Sequence, residues 1–280
     1  MKKKANAFTV FFTQLPRLML AALIFGVILA GFCSISILAG RLTGMRNIIV
    51  SGLGIIPSAV FLPGLVMVVR KYAVEKKFVP VVKTFFEAVR DNYKQFIVHG
   101  VVMYAIASCS AFAIIYYGTA AMSSAVYSAV FTIYLLFSLV LLVMLFYLPV
   151  MSVTYELRLR DLYKNSLLLV FGTVLKNLAA LIYTLVIGAG AVLLIIYTEG
   201  VWRYVAFGAI CLLCPLLISY GVISIIAKGL QENVGSFTGP EPVERPILSD
   251  EEQSAAEAMN TEDDYVFVGG KMIKNPNKKA

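Results

Sequence analysis

An all-α, polytopic bundle crossing a membrane six times is the fold this sequence predicts, and three observations predict it. The 280 residues are 60% hydrophobic and only 14% charged, with mean hydropathy +0.84. A soluble domain carries about 25% charged residues, so this much apolar surface needs a solvent other than water. Six runs of twenty or more residues lack Asp, Glu, Lys and Arg: 18–40, 47–69, 95–117, 125–151, 178–197 and 204–227. Each is long enough for a bilayer core that needs about 20 helical residues. Because hydrocarbon offers the backbone no partners, each run is expected to be a helix. The third observation is the charge distribution. With both termini cytoplasmic, 21 of the 24 Lys and Arg fall inside, leaving Arg41, Arg46 and Arg203 outside.

Ahead of the first span, Phe8, Phe11, Phe12 and Leu15 recur at helical spacing and suit a short helix lying in the membrane interface, which Pro16 should end or bend. The second span holds Gly52, Gly54, Pro57, Pro63 and Gly64. Two prolines six residues apart interrupt the helix and free backbone carbonyls. That pattern fits a discontinuous helix at a substrate site or, the favoured reading since no polar cluster accompanies it, a packing kink.

Before the third span, Val81, Val82, Phe85, Phe86 and Val89 form one face of a segment that also carries Lys83, Glu87, Arg90, Asp91 and Lys94. This reads as an amphipathic cytoplasmic helix resting on the membrane. Its end, Arg90-Asp91-Asn92-Tyr93-Lys94, is echoed by Arg160-Asp161-Leu162-Tyr163-Lys164-Asn165 in 155–177, a second interfacial or re-entrant segment. The echo marks either a parallel repeat of helical hairpins or two uses of the same interface-anchoring residues.

The chain offers little catalytic chemistry. His99, the sole histidine, is expected to be a hydrogen-bonded structural group rather than a proton carrier. No carboxylate lies in any span, which weighs against proton- or sodium-coupled transport. Cys211-x-x-Cys214 lacks the further ligands a metal or redox site needs and reads as small apolar packing. There is no phosphate-cradling glycine motif. The expectation is therefore a non-enzymatic protein with no cofactor and no metal. Its positive charge suits membrane orientation and anionic lipid rather than nucleic acid.

Three stretches taken together, IIPSAVFLPGLVMVVRKYA (55–73), FFEAVRDNYKQFIVHG (85–100) and YLPVMSVTYELRLRDLYKNSLLLVFGTVLKNLAALI (147–182), resemble the YesL-like family of bacterial membrane proteins, whose biochemical function is unassigned. The resemblance covers about 8–228, and its recurring features correspond to Phe11-Phe12, Pro57, Asn92 with Lys94, and Lys164-Asn165. It implies an accessory or regulatory role beside carbohydrate-uptake systems, with transporter subunits or further copies of the chain as partners. A small-solute transporter using the interrupted second span is the alternative. The residues singled out for either role are Pro57, Pro63, Arg90, Asp91, Asn92, Lys94, His99, Arg160, Asp161, Lys164 and Asn165.

Beyond Lys228 the composition changes, so 1–228 reads as the membrane domain and 229–280 as a cytoplasmic tail with ten acids and five bases. Ser249 to Glu252 is a capping box for a short helix, and Gly269-Gly270 sits between alternating residues as a hairpin turn. Opposite charge predicts that 249–268 docks on 70–94 or 155–177. The topology predicts that single cysteines replacing Ser123 or Thr198, on a Cys-free background, react with impermeant reagent added outside the cell. Reaction from the cytoplasmic side only would invert the arrangement.

Overall fold

The computed structural model describes residues 7–45, 47–120, 124–155, 157–238, 265–268 and 271–274. Two compact units divide the chain, 1–234 and 235–280. The first is helical: α1 (Ala7–Leu42), α2 (Ile48–Gly52), α3 (Ile55–Ala59), α4 (Leu62–Arg70) continued by a π-turn at Lys71–Glu75, α5 (Val81–Ala120), α6 (Ala125–Thr154), α7 (Leu159–Gly172), α8 (Val174–Tyr197) and α9 (Gly200–Thr238). Five of these helices are long and apolar enough to cross a membrane. The bent pair Ile49–Ala59 and Leu62–Glu75 makes a sixth crossing when taken as one span. The chain is thus an integral, multi-pass membrane protein.

The second span is more than kinked. Its halves meet at 58°, the first built of α2 and α3 and the second of α4 with its π-turn. Both prolines sit in first turns, Pro57 in α3 and Pro63 in α4, where a helix has no use for the missing N–H. The carbonyls near the break are taken up locally. Ser58 Oγ donates to Gly54 O at 2.7 Å, Phe61 N to Ser58 O at 3.0 Å, and Gly64 N to Phe61 O at 3.2 Å. From α5, Tyr104 Oη donates to Ile49 O. Glycine makes the close packing here. A Cβ on Gly54 would fall 2.5 Å from the Phe32 carbonyl of α1, and one on Gly64 would fall 2.7 Å from the Phe85 ring.

Two segments expected as separate surface helices are continuous with spans. Pro16 lies inside α1 without ending it, since its neighbours pack on both sides: Phe11 meets Tyr220 edge-on at 4.8 Å, and Leu18 is fully buried. Likewise α5 runs for 40 residues without a break, so 81–94 extends the third span instead of lying flat. Only Val81, Phe85 and Ala88 of that stretch are buried, while Val82 and Phe86 face outward. By contrast α7 is a helix in its own right.

The buried core gathers at one end of the bundle. It draws on the first half of α1 (Leu18, Phe25), the end of α4 (Val68, Val69), the start of α5 (Phe85, Phe96) and the end of α6 (Tyr147, Met151). It also takes Leu162 and Leu169 of α7, and Ile223 and Ile226 of α9. This is the end that carries the basic loops, and it is called the basic end below. At the far end large apolar side chains such as Phe112, Ile133 and Val192 are exposed, as lipid permits at no cost. The first unit closes at Val234, later than the Lys228 drawn from composition, because α9 continues past the apolar run with Leu230 buried. In the second unit, Tyr265–Val268 and Lys271–Lys274 pair antiparallel, Val268 opposite Lys271. The short helix expected after Ser249, and most of the docking segment 249–268, lie outside the described residues.

The packing at the break makes Gly54→Ala a sensitive change. It should cost about 1–3 kcal/mol by overpacking, read as a lowered thermal midpoint in detergent. Gly31→Ala, whose Cβ meets nothing within 4 Å, should be neutral or slightly stabilising.

Candidate functional site

The polar residues of the basic end converge where α5, α6 and α7 meet. His99 is 1% exposed, about five turns into α5. Its Nδ1 lies 3.0 Å from Tyr163 Oη of α7, and its Nε2 lies 2.8 Å from Ser152 Oγ of α6. A neutral imidazole has one donor and one acceptor, and two hydroxyls can complement either tautomer. Phe96 meets the ring edge-on at 5.2 Å, one turn away. Burial raises the Tyr163 phenol above its ordinary pKa, so it remains a neutral partner to the ring. Beside this node Gln95 Nε2 donates to Leu157 O at 3.3 Å, tying α5 to the α6–α7 connection. The Gln95 Oε1 is buried without a partner.

A second polar knot closes the α7–α8 junction. Helix α7 stops at Gly172, and α8 starts at Val174 after Thr173 leaves the helical region. Asn177, buried in the first turn of α8, reaches back with Nδ2 to Leu169 O (3.0 Å) and Val170 O (2.8 Å). Tyr147 of α6 bonds both Asn177 Oδ1 and Thr173 Oγ1. The span therefore begins at Val174 rather than 178, because Asn177 serves as a cap and not as an interface residue.

Glu75 organises the remaining charge. From the π-turn it receives Arg70 at 3.1 Å, Lys71 at 2.9 Å and Lys77 at 3.9 Å. Lys76 leaves the turn in the left-handed region at φ 55°, which lets the chain reverse there. Tyr72 Oη then fastens the loop by donating to Val79 O at 2.9 Å, and the Arg17 guanidinium covers the Phe78 ring at 4.4 Å.

Of the residues singled out from sequence, His99 lies at the centre of the first node. Arg90 and Asp91 pair with each other at 3.2 Å on the exposed side of α5. Asn92 Nδ2 donates to Ala88 O within the helix, and Lys94 leans over Tyr93. Arg160, Asp161 and Lys164 are exposed on α7, with Asn165 half-buried. Pro57 is half-buried and Pro63 buried, both at the break. The two echoed segments are used differently. Tyr163 points inward to His99, whereas its counterpart Tyr93 is exposed. Ser152, Tyr147, Asn177 and Glu75 were missed as site residues. A Ser in an apolar run and a lone loop Glu carry no local signal, whereas Asn177 beside Lys176 resembles an interface pair.

Between the helices lies a cavity of about 380 Å³, bounded by Leu29, Val66, Phe146, Pro149, Cys211 and Pro215 among others. Neither His99 nor Ser152 lines it. The Ser152–His99 pair has the spacing of a nucleophile and its base, but the ring's other nitrogen is held by a phenol, not a carboxylate. Cys211 and Cys214 are free thiols on the cavity wall.

A family model described as "Protein of unknown function, DUF624" matches residues 5–114, and this is the YesL-like bacterial membrane family that the sequence resembles. The matched segment runs from the start of α1 into the far half of α5 and includes the broken second span and His99. No curated protein and no solved structure matches the chain.

Tyr163→Phe should strand one nitrogen of the buried imidazole and cost about 1–3 kcal/mol. Tyr93→Phe, on the exposed equivalent, should change nothing. Unfolding of the two variants side by side in detergent reads the difference, and equal loss from both would show that the echoes are equivalent.

Proposed function

We propose that this protein is a non-enzymatic membrane accessory that holds a partner at its basic end. The observation that carries the reading is the uninterrupted α5. Forty helical residues extend about 60 Å, twice the thickness of a bilayer core. The uncharged stretch 95–117 is long enough for the crossing by itself, and 81–94 adds about 20 Å of helix at the basic end, packed there on Gly64 of α4 through Phe85. That extension bears Lys83, Glu87, Arg90, Asp91 and Lys94 and leaves Val82, Phe86 and Tyr93 exposed. Apolar side chains presented among charges have the composition of a protein-binding face. Helix α7, tied to α5 by the His99–Tyr163 bond, adds exposed Arg160 and Lys164 at the same end of the bundle.

The partner class, subunits of a carbohydrate-uptake system, comes from the family resemblance alone. A further copy of the chain is the other occupant the same face accepts. The topology in this reading places the basic end in the cytoplasm, on the excess of Lys and Arg there.

The second reading, a small-solute transporter, draws on the broken second span and the cavity beside it. The hydrogen-bond accounting favours the accessory role. The carbonyls around the break are met by Ser58, Tyr104 and neighbouring N–H groups, so they are occupied rather than offered to a solute. The cavity wall is mostly Leu, Val, Met, Phe and Pro, which cannot replace the hydration of a polar solute.

A benzophenone side chain in place of Phe86 should photo-cross-link a protein partner in native membranes. The same group in place of Ile133, at the far end, should yield lipid adducts. Protein adducts that are absent from Phe86 would overturn the accessory reading. Adducts consisting only of this chain would make the partner a second copy.

A further inference from the structure

We infer that the far end of the bundle carries a site for a phosphate-bearing anionic lipid, between Arg41 and Arg203. The charge distribution leaves three basic residues on that side of the membrane, and two of them, distant in sequence, line one cavity of about 330 Å³. Ile37 and Leu38 of α1 supply its apolar wall, with Tyr204 and Phe207 of α9 opposite. Arg41 is in the last turn of α1 and Arg203 in the opening turn of α9, so the guanidiniums lie where spans end and headgroups begin.

Each arginine has a simpler local role, and neither explains the pair. Arg41 complements the negative end of the α1 dipole. Arg203 Nε donates to Thr198 O at 2.9 Å and so closes the turn after α8. That bond uses one donor of five and leaves the forked Nη groups available. A cation in the opening turn of a helix also opposes the helix dipole, whose positive end favours an anion. Among the described residues no ion pair joins either arginine to a carboxylate, including the nearby exposed Glu199. Two planar donor forks above an apolar wall match a phosphate with an attached acyl chain. A lipid fits better than a free anion because the wall would gain nothing from inorganic phosphate.

Trp202, the single tryptophan of the chain, precedes Arg203 and is exposed, so its fluorescence reads the lipid gathered around this end of α9. The full chain is reconstituted in phosphatidylcholine vesicles containing a minor fraction of brominated lipid, and Trp202 quenching is measured. Brominated phosphatidylglycerol should quench at roughly tenfold lower mole fraction than brominated phosphatidylcholine. The paired change Arg41→Gln with Arg203→Gln should abolish that preference, and Arg41→Lys with Arg203→Lys should retain most of it. Equal quenching by the two lipids in the unaltered protein would overturn the site, as would a preference that survives both Gln substitutions. Loss of the preference on adding inorganic phosphate would show that the ligand is a free anion and not a lipid. If the Gln pair does not reach the membrane, the lipid comparison in the unaltered chain and the Lys pair still decide the matter.

Discussion

A backbone carbonyl turned toward hydrocarbon has no water to bond, and much of this architecture follows from that constraint. The chain breaks helical continuity inside its apolar region at two places, and at each the freed groups are taken up by nearby side chains. At the α7–α8 junction a single carboxamide, Asn177, takes two carbonyls, while Tyr147 from α6 holds the carboxamide in place. At the second span, short helices place their prolines where no N–H is needed, and Ser58 and Tyr104 cover what remains. The breaks therefore cost less than their dihedrals suggest, and they fix neighbouring helices to one another.

The same accounting explains the gathering of the core at one end. Polar knots need enclosure, since a hydrogen bond between side chains competes poorly with water at an interface. The His99 node, the Asn177 knot and the Glu75 cluster all belong to segments that meet near the basic loops. Around them the bundle is packed with Phe85, Phe96, Tyr147 and Met151. At the far end there is less polar structure to protect, and side chains are left for lipid to solvate.

Much of the fold was legible in sequence because long uncharged runs and the Lys–Arg bias are physical necessities of a bilayer. The hairpin around Gly269-Gly270 was legible for a different reason, the local twist that a two-residue turn requires. What escaped notice depended on distance. Nothing in 81–94 announces that it continues straight into the span, because an amphipathic pattern is the same whether the helix lies flat or stands up. Pro16 looked like a terminus, but burial of Leu18 and the Phe11–Tyr220 contact outweigh one lost hydrogen bond. His99 was visible as a residue, yet Ser152 and Tyr163 become its partners only when helices far apart in sequence converge.

The continuity of α5 has a mechanical consequence. A helix without a proline or a π-turn within it is a stiff rod, whereas the second span, packed along it, is jointed at 58°. Turning a rod of about 60 Å through about ten degrees carries one end some 10 Å relative to the other. Force applied to 81–94 would thus arrive at the other end of the rod as lateral displacement, and the bent second span, packed on α5 on both sides of its break, would be carried with it.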